Sequence, residues 1–88
     1  MDPLISLLDK VFDREFPGSR HPLGPVLPDS PRISGYLVWD AFQDKSMRER
    51  QSAVWKAIDD NVPPQDQRRI TAILTFTDLE EQAMLENE

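Results

Sequence analysis

The sequence predicts an α+β fold: a small mixed sheet with elements in the order α-(β)-β-α-β-α. Three observations carry this. Residues 33–42 and 70–77 alternate with a period of two, as strands do. Residues 47–62, between them, repeat apolar side chains at helical spacing, and so do residues 4–12. Eighty-eight residues hold one core rather than two. The expected single domain divides into an opening helix (1–17), a proline-rich connector (18–32), a β-α-β core (33–77) and an acidic C-terminal helix or tail (78–88).

In the opening helix, Asp2 is a good N-cap and Pro3 sits at the first helical position, where its missing N–H costs nothing. Leu4, Leu7, Leu8, Val11 and Phe12 share one face, widened by Ile5, and Asp9, Lys10, Asp13 and Arg14 fall elsewhere. Phe16 ends the pattern and Pro17-Gly18 stops it. Pro17, Pro22, Pro25, Pro28 and Pro31 then exclude a helix or a central strand. An extended surface connector is expected, with a short edge strand at 24–27 as an option. A polyproline recognition ligand is the alternative, and the irregular proline spacing disfavours it.

In the first strand Ile33, Leu37 and Trp39 project to one face, and Ser34, Tyr36, Val38 and Asp40 to the other. Apolar bulk on both faces predicts an interior strand, with Gly35 marking a bulge or a close backbone approach. Ser46 and Glu49 form a capping box for the middle helix, whose stripe is Met47, Gln51, Val54, Trp55, Ile58 and Val62. Pro63-Pro64 ends it, and residues 64–69 form a short turn. In the last strand Ile70, Ala72, Leu74 and Phe76 are expected on the buried face, and Thr71, Ile73, Thr75 and Thr77 on a mixed one. The intervening helix is long enough for a crossover, so the two strands can lie parallel. Thr77 with Glu80, or Asp78 with Glu81, opens a final helix with Leu79, Ala83, Met84 and Leu85 as its apolar members.

Composition excludes several function classes. The chain has no cysteine, which removes disulfides, thiolate metal sites and a cysteine nucleophile. No apolar run approaches the roughly 20 residues needed to cross a bilayer, and the acid-bearing N-terminus does not read as a secretory signal. A cytoplasmic protein without membrane contact is expected. The net charge is −6, and five of the acids lie in 78–88 with no base among them, which leaves the rest near neutral. No glycine-rich phosphate loop and no HExxH or CxxC spacing occurs. Asp40 and Asp44 lack a lysine or histidine to complete an acid–base set. His21, the single histidine, is a weak metal or base candidate without recognisable partners. Enzymatic activity is not expected, nor is a cofactor.

Two groups of residues remain as site candidates. Lys45, Arg48 and Arg50 cluster before and within the middle helix, and Arg68 and Arg69 precede the last strand. Were the fold to join them, they would form a patch for nucleic-acid phosphates, although interspersed Asp44, Glu49 and Asp66 favour a solvated mixed face. Trp39, Phe42, Val54, Trp55, Ile58, Leu74 and Phe76 read as core or interface anchors.

Residues 38–58 (VWDAFQDKSMRERQSAVWKAI) and 70–81 (ITAILTFTDLEE) resemble the BolA-like family. Its pattern has a strand ending in Phe, a short turn, a helix with an Arg and a Val-plus-aromatic pair, a strand, and a Thr-Pro-Glu-like start of a last helix. Phe42, Arg50, Val54, Trp55, Ala72, Leu74, Thr77 and Glu80 stand at those places, and the FPG of 16–18 fits the end of the first helix. The resemblance implies a fold related to the class II KH domain, regulatory or iron–sulfur-trafficking roles through monothiol glutaredoxins, and nucleic-acid binding. The family's histidine before the Ala-Leu of its last strand corresponds to Thr71, a poor iron ligand beside an imidazole, and the GxxG loop of KH domains is missing. The expected function is therefore a non-enzymatic regulatory or adaptor domain that binds another protein, with the middle helix, its preceding turn and the adjoining proline-rich segment as the expected surface. A KH-like nucleic-acid-binding module and an accessory subunit of a larger complex are the alternatives. The partner's identity and the oligomeric state are left open.

Overall fold

A computed structural model describes residues 2–86. The elements are α1 (Pro3–Glu15), β1 (Leu23–Pro25), β2 (Ile33–Val38), a 3₁₀ turn (Asp40–Phe42), α2 (Met47–Asn61), the one-turn α3 (Pro64–Gln67), β3 (Ile70–Phe76) and α4 (Asp78–Glu86). This is the expected α+β order. Of the acidic tail, Asn87 and Glu88 lie outside the described residues. Among the described residues no helix is long and apolar enough to cross a membrane.

The three strands form one mixed sheet in the order β1-β2-β3. β2 is central, antiparallel to β1 and parallel to β3, with α2 as the crossover. The connector therefore carries a strand, one residue N-terminal to the expected 24–27 at its start and two at its end. Gly35 explains how β1 comes so close. A Cβ there would lie 2.4 Å from the Pro22 carbonyl oxygen and 2.7 Å from Leu23 Cδ2, so only glycine admits this approach. Beyond β1, Arg20 and Val38 exchange two backbone hydrogen bonds that extend the antiparallel pairing by one bridge.

The caps expected from sequence form. Asp2 Oδ1 accepts the Leu4 N–H at 2.9 Å, and Ser46 and Glu49 satisfy each other's backbone N–H at 3.1 Å. Thr77 and Glu80 make the same reciprocal pair at α4. α1 and α2 both cover one face of the sheet. Leu4, Leu8, Val11 and Phe12 meet Ile33, Leu37, Val54, Ile58 and Ile73 in one core. Its end is aromatic: Phe16, Trp39 and Phe42 pack with ring centroids 5.2–6.0 Å apart. The half-buried Trp39 donates its indole N–H to the Pro17 carbonyl at 2.9 Å.

The expected faces of β3 need correction. Ile33 pairs with Ile70 but Ser34 pairs with Ala72, so Thr71 is an extra, bulged residue. One inserted residue reverses every later side chain. Ile70 faces the core, but then Ile73, Thr75 and Thr77 do so, while Leu74 is 48% exposed. Leu74 is thus a surface residue and not a core anchor, and Phe76 is only half-buried. The buried stripe of α2 is likewise rotated from the expected one. Arg50, Val54, Ala57 and Ile58 are buried, and Met47 is exposed.

Candidate interaction surface

The five basic candidates do not form one patch. α2 starts beyond the C-terminal end of β2 and returns the chain to the start of the parallel β3. Lys45 and Arg48 therefore sit at one end of the sheet and Arg68 and Arg69 at the other. They are separated by the length of a 15-residue helix, about 22 Å.

Two of the five are also engaged. Arg50 is 5% exposed. Its Nε donates to the Phe42 and Lys45 carbonyls at 3.1 Å each, its Nη1 pairs with Glu80 Oε1 at 2.6 Å, and its guanidinium lies 5.7 Å from the centre of the Phe42 ring. This arginine closes the turn between β2 and α2 and is not available to a phosphate. The helical spacing to Val54 and Ala57 was the sequence signal of its burial. Arg69 pairs with Asp2 and donates to the Pro31 carbonyl at 2.8 Å, which ties the start of α1 to the start of β3. The arginine holds the Asp2 carboxyl below the ordinary carboxylate range, helped by the Leu4 N–H. Lys45, Arg48 and Arg68 are exposed.

His21 has a structural place. Its Nδ1 lies 2.8 Å from Asp9 Oδ1 and its Nε2 2.8 Å from Asp13 Oδ1, and its ring meets Phe12 edge-on at 5.8 Å. Asp9 and Asp13 are one turn apart on α1, so the ring bolts the connector to that helix. With both nitrogens used in this way, His21 is a tie rather than a ligand. Among the described residues no group of three or more histidines, cysteines and carboxylates is arranged to hold a metal. Asp40 does not pair with Asp44; its Oδ1 accepts the Asp78 N–H at 3.0 Å.

The residues present do not fit a shared iron–sulfur cluster. Thr71 is an exposed bulge residue, and the one imidazole is engaged by two carboxylates of α1.

The residues did not reveal that the second face of the sheet is open along Ser34 and Tyr36 and closed only at the buried Val38. Both long helices lie on the opposite face, and the bulge at Thr71 turns Ala72, Leu74 and Phe76 outward beside Ser34 and Tyr36. Tyr36 is 38% exposed and its ring lies 5.7 Å from that of Phe76. Pro22, Gly24, Pro25, Ser34, Tyr36, Ala72 and Leu74 line a shallow concavity of about 360 Å³, with no charged side chain in its walls. A second shallow groove, floored by Phe16, Trp39, Ala53 and Ala57, is rimmed by Glu15, Lys56 and Asp60.

No protein-family model matches the chain, and no curated protein matches it. Among solved structures it is similar to a Bol-like protein from Babesia bovis. That similarity covers 94% of this chain and 92% of the other, with a TM-score of 0.62 and 18% identity. The architecture of this chain is thus a BolA-like fold.

Proposed function

We propose that this chain is a non-enzymatic, BolA-like regulatory or adaptor domain that acts by binding another protein through the open face of its sheet. The observation that carries this reading is the exposed, uncharged apolar surface around Tyr36 and Leu74. Contiguous apolar surface of this kind, with a polar rim, is what protein contacts use. The partner it fits presents an uncharged apolar segment, because a charge buried against these walls would find no counter-ion.

Affinity capture from the native cell with the wild-type chain and with Leu74→Lys tests this. A partner retained by the wild type and lost with L74K supports the reading, and identical partners for both refute it. The nucleic-acid alternative has lost its joined patch. Titration of single-stranded RNA and duplex DNA at low salt decides it: micromolar binding that weakens steeply with salt would restore that alternative. Monothiol glutaredoxin is the partner that the resemblance implies. Reconstitution with it and iron is expected to give no new cluster spectrum, since Thr71 offers only a hydroxyl.

A further inference from the structure

α4 is held differently from the other two long helices. α1 and α2 each bury four side chains, whereas α4 buries none. Its Leu79 is 74% exposed, and Leu85 is also exposed. Among its apolar side chains Met84 is half-buried, and its polar attachments lie in its first turn. Arg20 Nη2 bridges Asp78 Oδ1 at 2.5 Å and Glu81 Oε1 at 2.7 Å. Arg50 Nη1 meets Glu80 Oε1, and Asp40 accepts the Asp78 N–H. Docking of a helix ordinarily rests on buried apolar area. Exposed ion pairs contribute little each and are screened by salt.

We propose that α4 is an electrostatic latch. It undocks as a unit, ahead of the rest of the domain, when ionic strength rises or when its first-turn carboxylates are protonated. Undocking leaves Arg20 and Arg50 unmatched at the C-terminal end of the sheet, beside the exposed Lys45 and Arg48. A neutralised surface thereby becomes a cationic one.

The groups facing α4 are Arg20 from the connector, Arg50 from α2 and Asp40 from the 3₁₀ turn. Asp40 is like-charged; it accepts the Asp78 backbone N–H and its side chain also helps to lower the Asp78 carboxyl. Arg20 holds the Asp78 carboxyl and Arg50 the Glu80 carboxyl below the ordinary range, and the Asp78 and Glu81 carboxylates raise Arg20. A depressed carboxyl contributes docking above its unperturbed range and loses it as pH falls. Acid and salt therefore act in the same direction. This inference does not depend on the partner proposed above.

Hydrogen exchange on the full chain tests it. At neutral pH and low salt, amides of residues 82–86 are expected to be protected. In about 1 M salt, where charges more than about 3 Å apart are screened, their protection is expected to fall about tenfold. Amides of Leu37 and Ile73 should change less than about twofold. The double variant Asp78→Asn/Glu81→Gln at low salt should reproduce the loss in α4 alone. The proposal is overturned if α4 and β3 lose protection together, if α4 is unprotected under every condition, or if salt and substitution leave it unchanged.

Discussion

Arg50 is the residue whose replacement tests the architecture most severely. A patch residue on a solvated face would be replaced at little cost, within about 0.5 kcal/mol. The buried Arg50 instead donates to two backbone carbonyls, those of Phe42 and Lys45, of which the Phe42 oxygen also accepts the Lys45 N–H at 2.9 Å. Leaving a buried acceptor unpaired costs about 1–3 kcal/mol. The Phe42 oxygen keeps the Lys45 N–H and the Lys45 oxygen is only partly buried, so together they account for about 1–2 kcal/mol. The ion pair with Glu80 adds less, because the Glu80 side chain is 44% exposed and solvent screens it. Arg50→Ala is thus expected to lose about 2 kcal/mol, against a total of roughly 4–13 kcal/mol for a chain of this length. Arg50→Met retains the stem packed on Phe42 but none of the donors, and should recover only a minor part of that loss. Urea denaturation followed by tryptophan fluorescence measures both, with an unchanged slope as the control. A loss below about 1 kcal/mol for Arg50→Ala would refute the reasoning.

Three further outcomes follow from the same geometry. Ile73→Ala should cost about 3–4 kcal/mol because that side chain is 1% exposed, whereas Leu74→Ala should cost under about 0.5 kcal/mol; the reverse order in urea melts would contradict the bulge at Thr71. Gly35→Ala should destabilise by about 3 kcal/mol or detach β1, because the added Cβ meets the Pro22 carbonyl, and an unchanged melting curve would show that β1 does not lie there. The depressed carboxyls of Asp2, Glu49, Asp78 and Glu80 make stability level at neutral pH and falling below about pH 5. Asp2→Asn should flatten that fall in a series of urea midpoints, and an unaltered slope would remove Asp2 as a contributor.

Much of this fold is legible in the residues because local chemistry dictates it. Asp2-Pro3, the Ser46/Glu49 box and the Thr77/Glu80 box each satisfy orphan N–H groups within one turn, so they can be read without tertiary knowledge. Gly35 signals the tight approach of β1, and the length of the middle helix signals the parallel crossover. The phase of β3 is not legible, because the bulge at Thr71 arises from pairing with β2, and a strand read alone looks perfectly alternating through it. Arg50 misleads for a related reason. An arginine counts as solvated until the turn carbonyls it satisfies are known, and those belong to residues five and eight positions earlier. The separation of Lys45 and Arg48 from Arg68 and Arg69 is a property of topology. The open apolar face around Tyr36 and Leu74 appears only once both long helices are placed on the opposite side.

A protein partner is proposed to dock on that open face. Site-specific photo-crosslinking in the native cell addresses it most directly, with a benzophenone side chain placed in turn at Leu74, Arg48 and Lys10. A protein adduct formed from position 74 and absent from position 10 on α1 is the predicted result. Adducts from position 48 alone, or adducts that disappear with nuclease, would contradict it.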